Sequence, residues 1–127
     1  MSLERVIFGF FIILALTLNF GFFLGEIDNP AHHGIVELFL VIVVNLIATG
    51  LKLGDRSQIG AVLLASSLVA VLQLIAAAVV WTFATHVTGT GLTPSVMATI
   101  VSLSGGALVA NIISVSMLVV ETLMLRR

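Results

Sequence analysis

Acidic residues and histidines cluster in one short part of the chain, where they could attract cations, bind a metal or exchange protons. The cluster comprises Glu26, Asp28, His32, His33 and Glu37. His33 and Glu37 are four residues apart and would share one helical face. Carboxylates and imidazoles together can bind a divalent metal or titrate near neutral pH. The simplest interpretation is a solvated acidic loop with a hydrogen-bonded Glu37. A cation-attracting vestibule and a metal or proton sensor are the functional alternatives.

Neutral polar residues recur deep inside the apolar stretches. They are Asn19, Asn45, Gln73, Ser102, Ser104 and Asn111. Side chains of this kind can hydrogen-bond across helices and hold a bundle together. The same groups can replace the hydration shell of an ion and line a narrow polar path. We favour the structural role and keep the polar path as the functional alternative.

Small residues occupy every fourth position through much of the last apolar stretch. The row comprises Ala98, Ser102, Gly106, Ala110 and Ser114. Positions four apart lie above one another on a helix. In lipid, helices associate by close backbone contact across grooves of small residues. We therefore predict that this row is a helix-packing surface.

Composition predicts the elements that position these residues. Hydrophobic residues make up 60% of the 127-residue chain and charged residues only 9%, against about 25% charged in ordinary globular domains. Stretches long enough to cross a bilayer lie at about residues 5–24, 34–51, 58–85 and 95–125. The first is followed by no small-residue cleavage site, so we expect it to be retained as a span. We predict an all-α polytopic membrane protein, a bundle of four transmembrane helices in a single membrane domain, 1–127.

The basic residues predict an orientation for this bundle. They are Arg5, Lys52, Arg56, Arg126 and Arg127. With four spans, all five fall on one side of the membrane, and the two loops on the other side contain neither Lys nor Arg. By the positive-inside rule, both termini should be cytoplasmic. The cluster of carboxylates and histidines should then face the outside.

Several functional classes lack the residues that they need. The chain has no cysteine, no phosphate-binding loop and no HExxH or GxSxG motif, so we expect no enzyme activity, no cofactor and no metal site. A net charge of −1 without a basic run argues against nucleic acid as a partner. No ionisable residue lies at the predicted centre of a span, which argues against a proton-driven pump.

Three stretches resemble a known kind of protein. The segments NPAHH, VVNLIATGLKLGDRSQIGA and LQLIAAAVVW are similar to those of short four-span bacterial inner-membrane proteins of unassigned activity. The resemblance covers the first three predicted spans. It implies a multi-pass protein of the bacterial inner (plasma) membrane and carries over no functional residues.

A chain this small has little material for a pore of its own, so we expect a homo-oligomer in the lipid bilayer. The main functional hypothesis is a passive ion channel, selective for cations, with a pore lined by the neutral polar residues. The acidic cluster would concentrate cations at its mouth. The alternative is a non-conducting accessory or assembly subunit that binds a larger membrane protein through its small-residue faces.

Overall fold

The computed structural model of the chain describes residues 3–54 and 58–125, with side chains as far as Met124. Four long helices make up most of this part of the chain, and the described residues include no strand. The helices are α1, Leu3–Phe23; α2, Ile35–Lys52; α3, Gln58–Thr82; and α4, Pro94–Leu125. Each is long and apolar enough to cross a membrane. The predicted all-α bundle of four transmembrane helices is confirmed.

The helix bounds lie within about two residues of the predicted spans. The first helix begins at Leu3 rather than near residue 5, and a π-helical turn, Phe83–Val87, continues α3 beyond Thr82. Three of the basic residues used to predict the orientation lie outside the described residues. They are Arg56, Arg126 and Arg127.

Local sequence explains where the helices end. Pro94 opens α4 because its fixed φ suits the first helical position, and the Thr93 hydroxyl accepts the Val96 N–H at 3.2 Å as an N-cap. At the end of α1, Gly25 adopts a φ of 97°, a left-handed conformation that glycine enters without strain. A 3-10 turn, Pro30–His32, then leads into α2, with Asn29 as its cap.

Each helix buries one stripe in which successive positions are three or four residues apart, about 3.5 on average. This average of 3.5 residues is the repeat of left-handed helix packing. The stripe positions are Ile12, Ala15, Asn19 and Phe22 in α1; Leu38, Val41, Asn45, Ala48 and Lys52 in α2; Leu63, Ser67, Ala70, Leu74 and Ala77 in α3; and Met97, Val101, Ser104, Ala107, Asn111 and Ser114 in α4. Five more of the described helix residues are buried as well: Val44, Gly60, Ser66, Ile100 and Ala110. We call these stripes the four seams. Polar side chains lie in every one of them.

The helices form a closed ring of antiparallel neighbours. Each packs on the next along the chain, and α4 also packs on α1. Arg5 of α1 and Glu121 of α4 form an ion pair at 3.1 Å near the termini. Large apolar side chains cover the outside of the ring, as a lipid-facing surface requires. The described loops at the opposite end, residues 24–34 and 88–93, contain no Lys or Arg.

The interior has two unlike halves. Toward the α1–α2 loop, the seams contribute a close-packed apolar cluster that includes Phe22, Leu38 and Met97. Toward the termini, the buried side chains include Lys52, Ser67 and Ser114. The structure therefore contains an apolar plug at the loop end of the bundle and, at the end that bears the termini, an interior in which polar side chains lie among apolar ones such as Ile12 and Leu63.

Candidate functional site

The histidines of the predicted vestibule have backbone partners. His33 is 1% exposed, and its Nδ1 and Nε2 atoms lie 2.6 and 2.8 Å from the carbonyl oxygens of Phe22 and Glu26. His32 is exposed, and its Nδ1 accepts the Glu26 N–H at 2.8 Å. The two rings are 6.4 Å apart. The imidazoles thus fasten the α1–α2 loop to the end of α1.

The carboxylates of the cluster do not converge with these rings. Glu26, Asp28 and Glu37 are all exposed. The Glu37 side chain folds back toward the start of α2, since its Oε1 lies 3.5 Å from the position that a Cβ on Gly34 would occupy. Within residues 3–54 and 58–125, no three His, Cys, Asp or Glu side chains are placed to hold a metal ion. The cluster therefore forms an acidic surface around a histidine-fastened loop.

Four of the six polar-path candidates lie inside the bundle. They are Asn19, Asn45, Ser104 and Asn111, and all four are buried seam residues. Ser104 donates to the Val101 carbonyl at 2.8 Å, and Asn45 donates to the Val41 carbonyl at 2.8 Å. Four amide atoms of the three buried asparagines lack hydrogen-bond partners among the described residues. These atoms are Oδ1 and Nδ2 of Asn19, Oδ1 of Asn45 and Nδ2 of Asn111.

The other two candidates, Gln73 and Ser102, lie on the outside of the ring. They line an open groove of about 520 Å³ between α3 and α4 on the outside of the ring. We call it the α3–α4 groove, and its walls are Gln73, Ser95, Ala98, Thr99, Ser102, Leu103 and Gly106. The Gln73 Oε1 atom is buried beside Gly106 and has no described hydrogen-bond partner. The six candidates therefore divide between two surfaces and do not line one path through a single copy.

The small-residue row divides in a related way. Four residues on a helix turn through about 400°, so each step rotates about 40° around the axis. After four steps, the row has moved from one face of α4 to another. Ala98, Ser102 and Gly106 line the α3–α4 groove, whereas Ala110 and Ser114 are buried in the ring. Ala110 and Ser114 therefore pack inside the ring, and Gly106 also packs within the copy, against the Gln73 side chain of α3.

The most unusual interior residue is Lys52, which the sequence analysis placed at the membrane surface as part of the basic end. It is the last residue of α2 and is 1% exposed. Its ammonium donates to Ser67 Oγ and, at 3.0 Å, to Ser114 Oγ. Ser67 lies about 13 Å along α3 from Gln58, at 1.5 Å per residue. The side chain therefore extends into the bundle and does not reach out to water.

The hydroxyls around Lys52 form a directed chain. Ser66 donates to the Leu63 carbonyl at 2.9 Å, so in the 2.5 Å contact between Ser66 and Ser114 the proton comes from Ser114. Lys52 thus donates to Ser114, Ser114 to Ser66, and Ser66 to the backbone. Within residues 3–54 and 58–125, the only ion pair is Arg5–Glu121, so no described carboxylate balances the ammonium.

The spacing of the buried positions in α2 indicates that Lys52 is an interior residue. Leu38, Val41, Asn45, Ala48 and Lys52 continue one alternation of three and four residues. A lysine in register with the buried stripe is directed inward even at the end of a helix. The positive-inside rule counts basic residues on each side of the membrane but does not consider whether a residue is in register with a buried stripe. It therefore did not identify Lys52 as an interior residue.

The chain belongs to a family of unknown function, DUF6394, whose match covers residues 32–122. The matched region begins at His32 and includes α2, α3 and most of α4, and thus His33, Lys52 and the α3–α4 groove. No curated protein and no solved structure matches the chain.

Proposed function

We propose that the protein is a homo-oligomeric passive channel for cations, in which the pore lies between copies and is lined by the α3–α4 groove. The observation that carries the proposal is the polarity of this groove. It presents the hydroxyls of Ser95, Thr99 and Ser102 on the outside of the ring, and the Gln73 side chain, whose Oε1 is buried beside Gly106, forms part of its wall. Polar groups that face hydrocarbon are unfavourable, whereas a water-filled pore between copies would hydrate them.

The charge distribution supports cations as the conducted species. Glu26, Asp28 and Glu37 are exposed at the loop end, where the described residues contain no Lys or Arg. A mouth lined by one sign of charge raises the local concentration of counter-ions. We further propose that this end faces outward from a bacterial inner membrane, with both termini in the cytoplasm, as the excess of basic residues beside the termini favours.

The interior of one copy offers no competing route. The apolar plug that contains Phe22, Leu38 and Met97 fills its loop end. Asn19, Asn45 and Asn111 are buried inside the ring and lie away from the proposed pore, which the groove residues Gln73 and Ser102 line.

Flux into sealed liposomes tests the proposal. Purified wild-type protein should pass a monovalent cation, and Ser102→Val should reduce the flux several-fold because it replaces a pore hydroxyl by a methyl group. Ser116→Val is the matched control, because Ser116 is an exposed serine of α4 outside the groove. Correctly inserted wild-type protein that passes no ion would refute the channel, and equal flux in both variants would refute this pore lining.

A second function has support from the floor of the same groove. Ala98 and Ser102 line it with small side chains, across which a helix can approach closely. A non-conducting accessory subunit would receive a helix of a larger membrane protein there, with the Gln73 amide as a hydrogen-bonding anchor. In that case Gly106→Leu would abolish co-purification of a partner, and liposomes with the wild-type protein would show no flux.

A further inference from the structure

Three asparagines inside the ring carry four amide atoms that have no hydrogen-bond partner among the described residues. Asn19, Asn45 and Asn111 are 0%, 1% and 2% exposed. Asn19 leaves both Oδ1 and Nδ2 unpaired, Asn45 leaves Oδ1, and Asn111 leaves Nδ2. Burial of a polar group without a hydrogen bond is unfavourable, so buried amides normally bond to the protein or to ordered water. The positions of these atoms decide which partner can reach all of them.

Asn19 and Asn111 lie at nearly the same depth in the bundle. Two contacts between α1 and α4 give reference points for depth: Phe23 with Gly105, and Leu118 with Gly9. From the first contact toward the termini, Asn19 is four residues away and Asn111 six, about 6 and 9 Å at 1.5 Å per residue. From the second contact toward the loop end, the distances are about 15 and 10.5 Å. Both contacts thus place the two asparagines about 3 to 4.5 Å apart in depth, within one helical turn.

Lys52 locates Asn45 at the same level. The Lys52 ammonium donates to Ser114 Oγ at 3.0 Å, and Asn111 lies three residues further toward the loop end, about 4.5 Å. On α2, Asn45 lies seven residues from Lys52 in the same direction, about 10.5 Å. An extended lysine side chain spans about 6 Å of that distance. Asn45 and Asn111 therefore both lie about 4.5 Å, nearly one helical turn, beyond the ammonium.

Small apolar residues complete this level of the interior, which we call the asparagine layer. Ser66 of α3 contacts Ser114 of α4 at 2.5 Å, which sets the register of these two helices. The buried alanines within about one turn of the asparagines are Ala15 in α1, Ala70 in α3 and Ala107 in α4. Their methyl groups cannot bond the amides and leave room that a larger side chain would fill. All four helices are described through this depth. The layer therefore combines unpaired amides with room for a small molecule, the two conditions for buried water.

The unpaired atoms also indicate the class of ligand. Nδ2 of Asn19 and Nδ2 of Asn111 are donors, whereas Oδ1 of Asn19 and Oδ1 of Asn45 are acceptors. An anion would pair with the donors only, and a cation with the acceptors only. A water molecule both donates and accepts, and a bridging water is nearly as favourable as a direct hydrogen bond. The presence of both donors and acceptors therefore favours water over an ion of either sign.

We propose that Asn19, Asn45 and Asn111 bind buried water in the centre of each copy. The water bridges α1, α2 and α4 and pairs the four amide atoms. Lys52 lies at one end of this site, and its ammonium donates two of its three N–H groups to serines. The third N–H is about one turn from the asparagine layer and can join the same network. The apolar plug closes the site toward the loop end.

Solid-state NMR of the full-length protein in bilayers tests this site. The chain contains four asparagines, so isotope-labelled asparagine gives few side-chain amide signals. Magnetisation should pass from water to Nδ2 of Asn19 and Asn111 at a temperature where amide exchange is slow. Asn29 lies in the α1–α2 loop and provides the positive control. Replacement of chloride by gluconate should leave the buried signals unchanged, because water occupies the site.

A variant with a filled asparagine layer should lose this transfer. Ala70→Val adds bulk at the level of Asn111 and removes no amide, so transfer from water to the buried Nδ2 groups should fall several-fold. Ala77→Val is the matched control, because Ala77 is equally buried but belongs to the apolar plug. Where Ala70→Val does not fold, Asn45→Leu removes one acceptor and should weaken the same signals.

The wild-type spectrum can overturn the proposal by itself. Direct contacts between the amides of neighbouring asparagines, without transfer from water, would show that the side chains pair with one another. Nδ2 signals that shift when chloride is replaced would show a bound anion. An equal loss of transfer in Ala70→Val and Ala77→Val would show that the water does not lie in the asparagine layer.

Discussion

Removal of the Ser114 hydroxyl should reveal how strongly the buried ammonium of Lys52 holds the bundle together. In Ser114→Ala, Lys52 loses a hydrogen bond of 3.0 Å, and Ser66 loses its donor. Hydrogen bonds to charged groups contribute about 1.5–3 kcal/mol, whereas neutral bonds between membrane helices average about 0.6 kcal/mol. We therefore expect Ser114→Ala to lower the free energy of unfolding by about 2–3 kcal/mol.

The same substitution should have a much smaller effect once the ammonium is gone. Methionine matches the length of lysine and is apolar, so Lys52→Met leaves the serines bonded to one another. Replacement of a buried charge by an apolar residue is often neutral or stabilising, by about 1–4 kcal/mol. In the Lys52→Met background, only the neutral bond to Ser66 remains to be lost, and Ser114→Ala should cost less than about 1 kcal/mol. The predicted coupling between Lys52 and Ser114 is thus at least about 1 kcal/mol.

Reversible unfolding in mixed micelles measures all four proteins of this cycle. Ser116→Ala provides the control, because Ser116 is exposed on the same helix and should change stability little in either background. An equal cost of Ser114→Ala with and without Lys52 would show that the ammonium does not bind Ser114. A strong loss of stability in Lys52→Met would show that a buried negative charge depends on Lys52.

Three further predictions concern orientation, assembly and the acidic mouth. A reporter that is active only in the cytoplasm should work after Arg127 and fail at Gly89; the opposite pattern would reverse the orientation. Gly106→Leu fills the α3–α4 groove and displaces Gln73, so the oligomer should dissociate into folded single copies by light scattering; an unchanged mass would place the interface elsewhere. Glu37→Gln should lower cation flux at low salt more than at high salt, because the screening length falls to about 10 Å at 0.1 M; an equal reduction at both would exclude an electrostatic role.

The hydropathy of the sequence was sufficient to predict the four helices but not to predict which face of each helix is buried. Hydropathy over a window reports that a segment can cross the membrane, but it contains no direction around the helix axis. The spacing of three or four residues between buried positions supplies that direction, since it separates the buried Ser104 and Asn111 from the groove residue Ser102. The row of small residues at every fourth position includes residues of both faces. Each step rotates about 40° around the helix axis, and this rotation accumulates along the row.

The contacts of His33 and Lys52 lay beyond prediction from sequence for a different reason. His33 binds the carbonyl oxygens of Phe22 and Glu26, and backbone oxygens have no residue-specific signature in a sequence. Lys52 meets Ser67 and Ser114 only because three helices align in register at that depth. In both cases the residue type indicated that the side chain could form hydrogen bonds, but only the packing of the helices determines which groups are its partners.

The position of Lys52 also bears on where ions could pass. Its ammonium lies in the polar half of the interior, with hydroxyls from α3 and α4 around it and no described carboxylate paired with it. At an effective dielectric constant of about 20, two like charges 4 Å apart repel by about 4 kcal/mol. A cation that entered the bundle from the termini would meet this charge and then the apolar plug around Phe22 and Met97. Within the proposed channel, each copy therefore acts as a wall that excludes cations from its own interior. Conduction is left to the polar groove on the outside of the ring, where Gln73 and Ser102 lie.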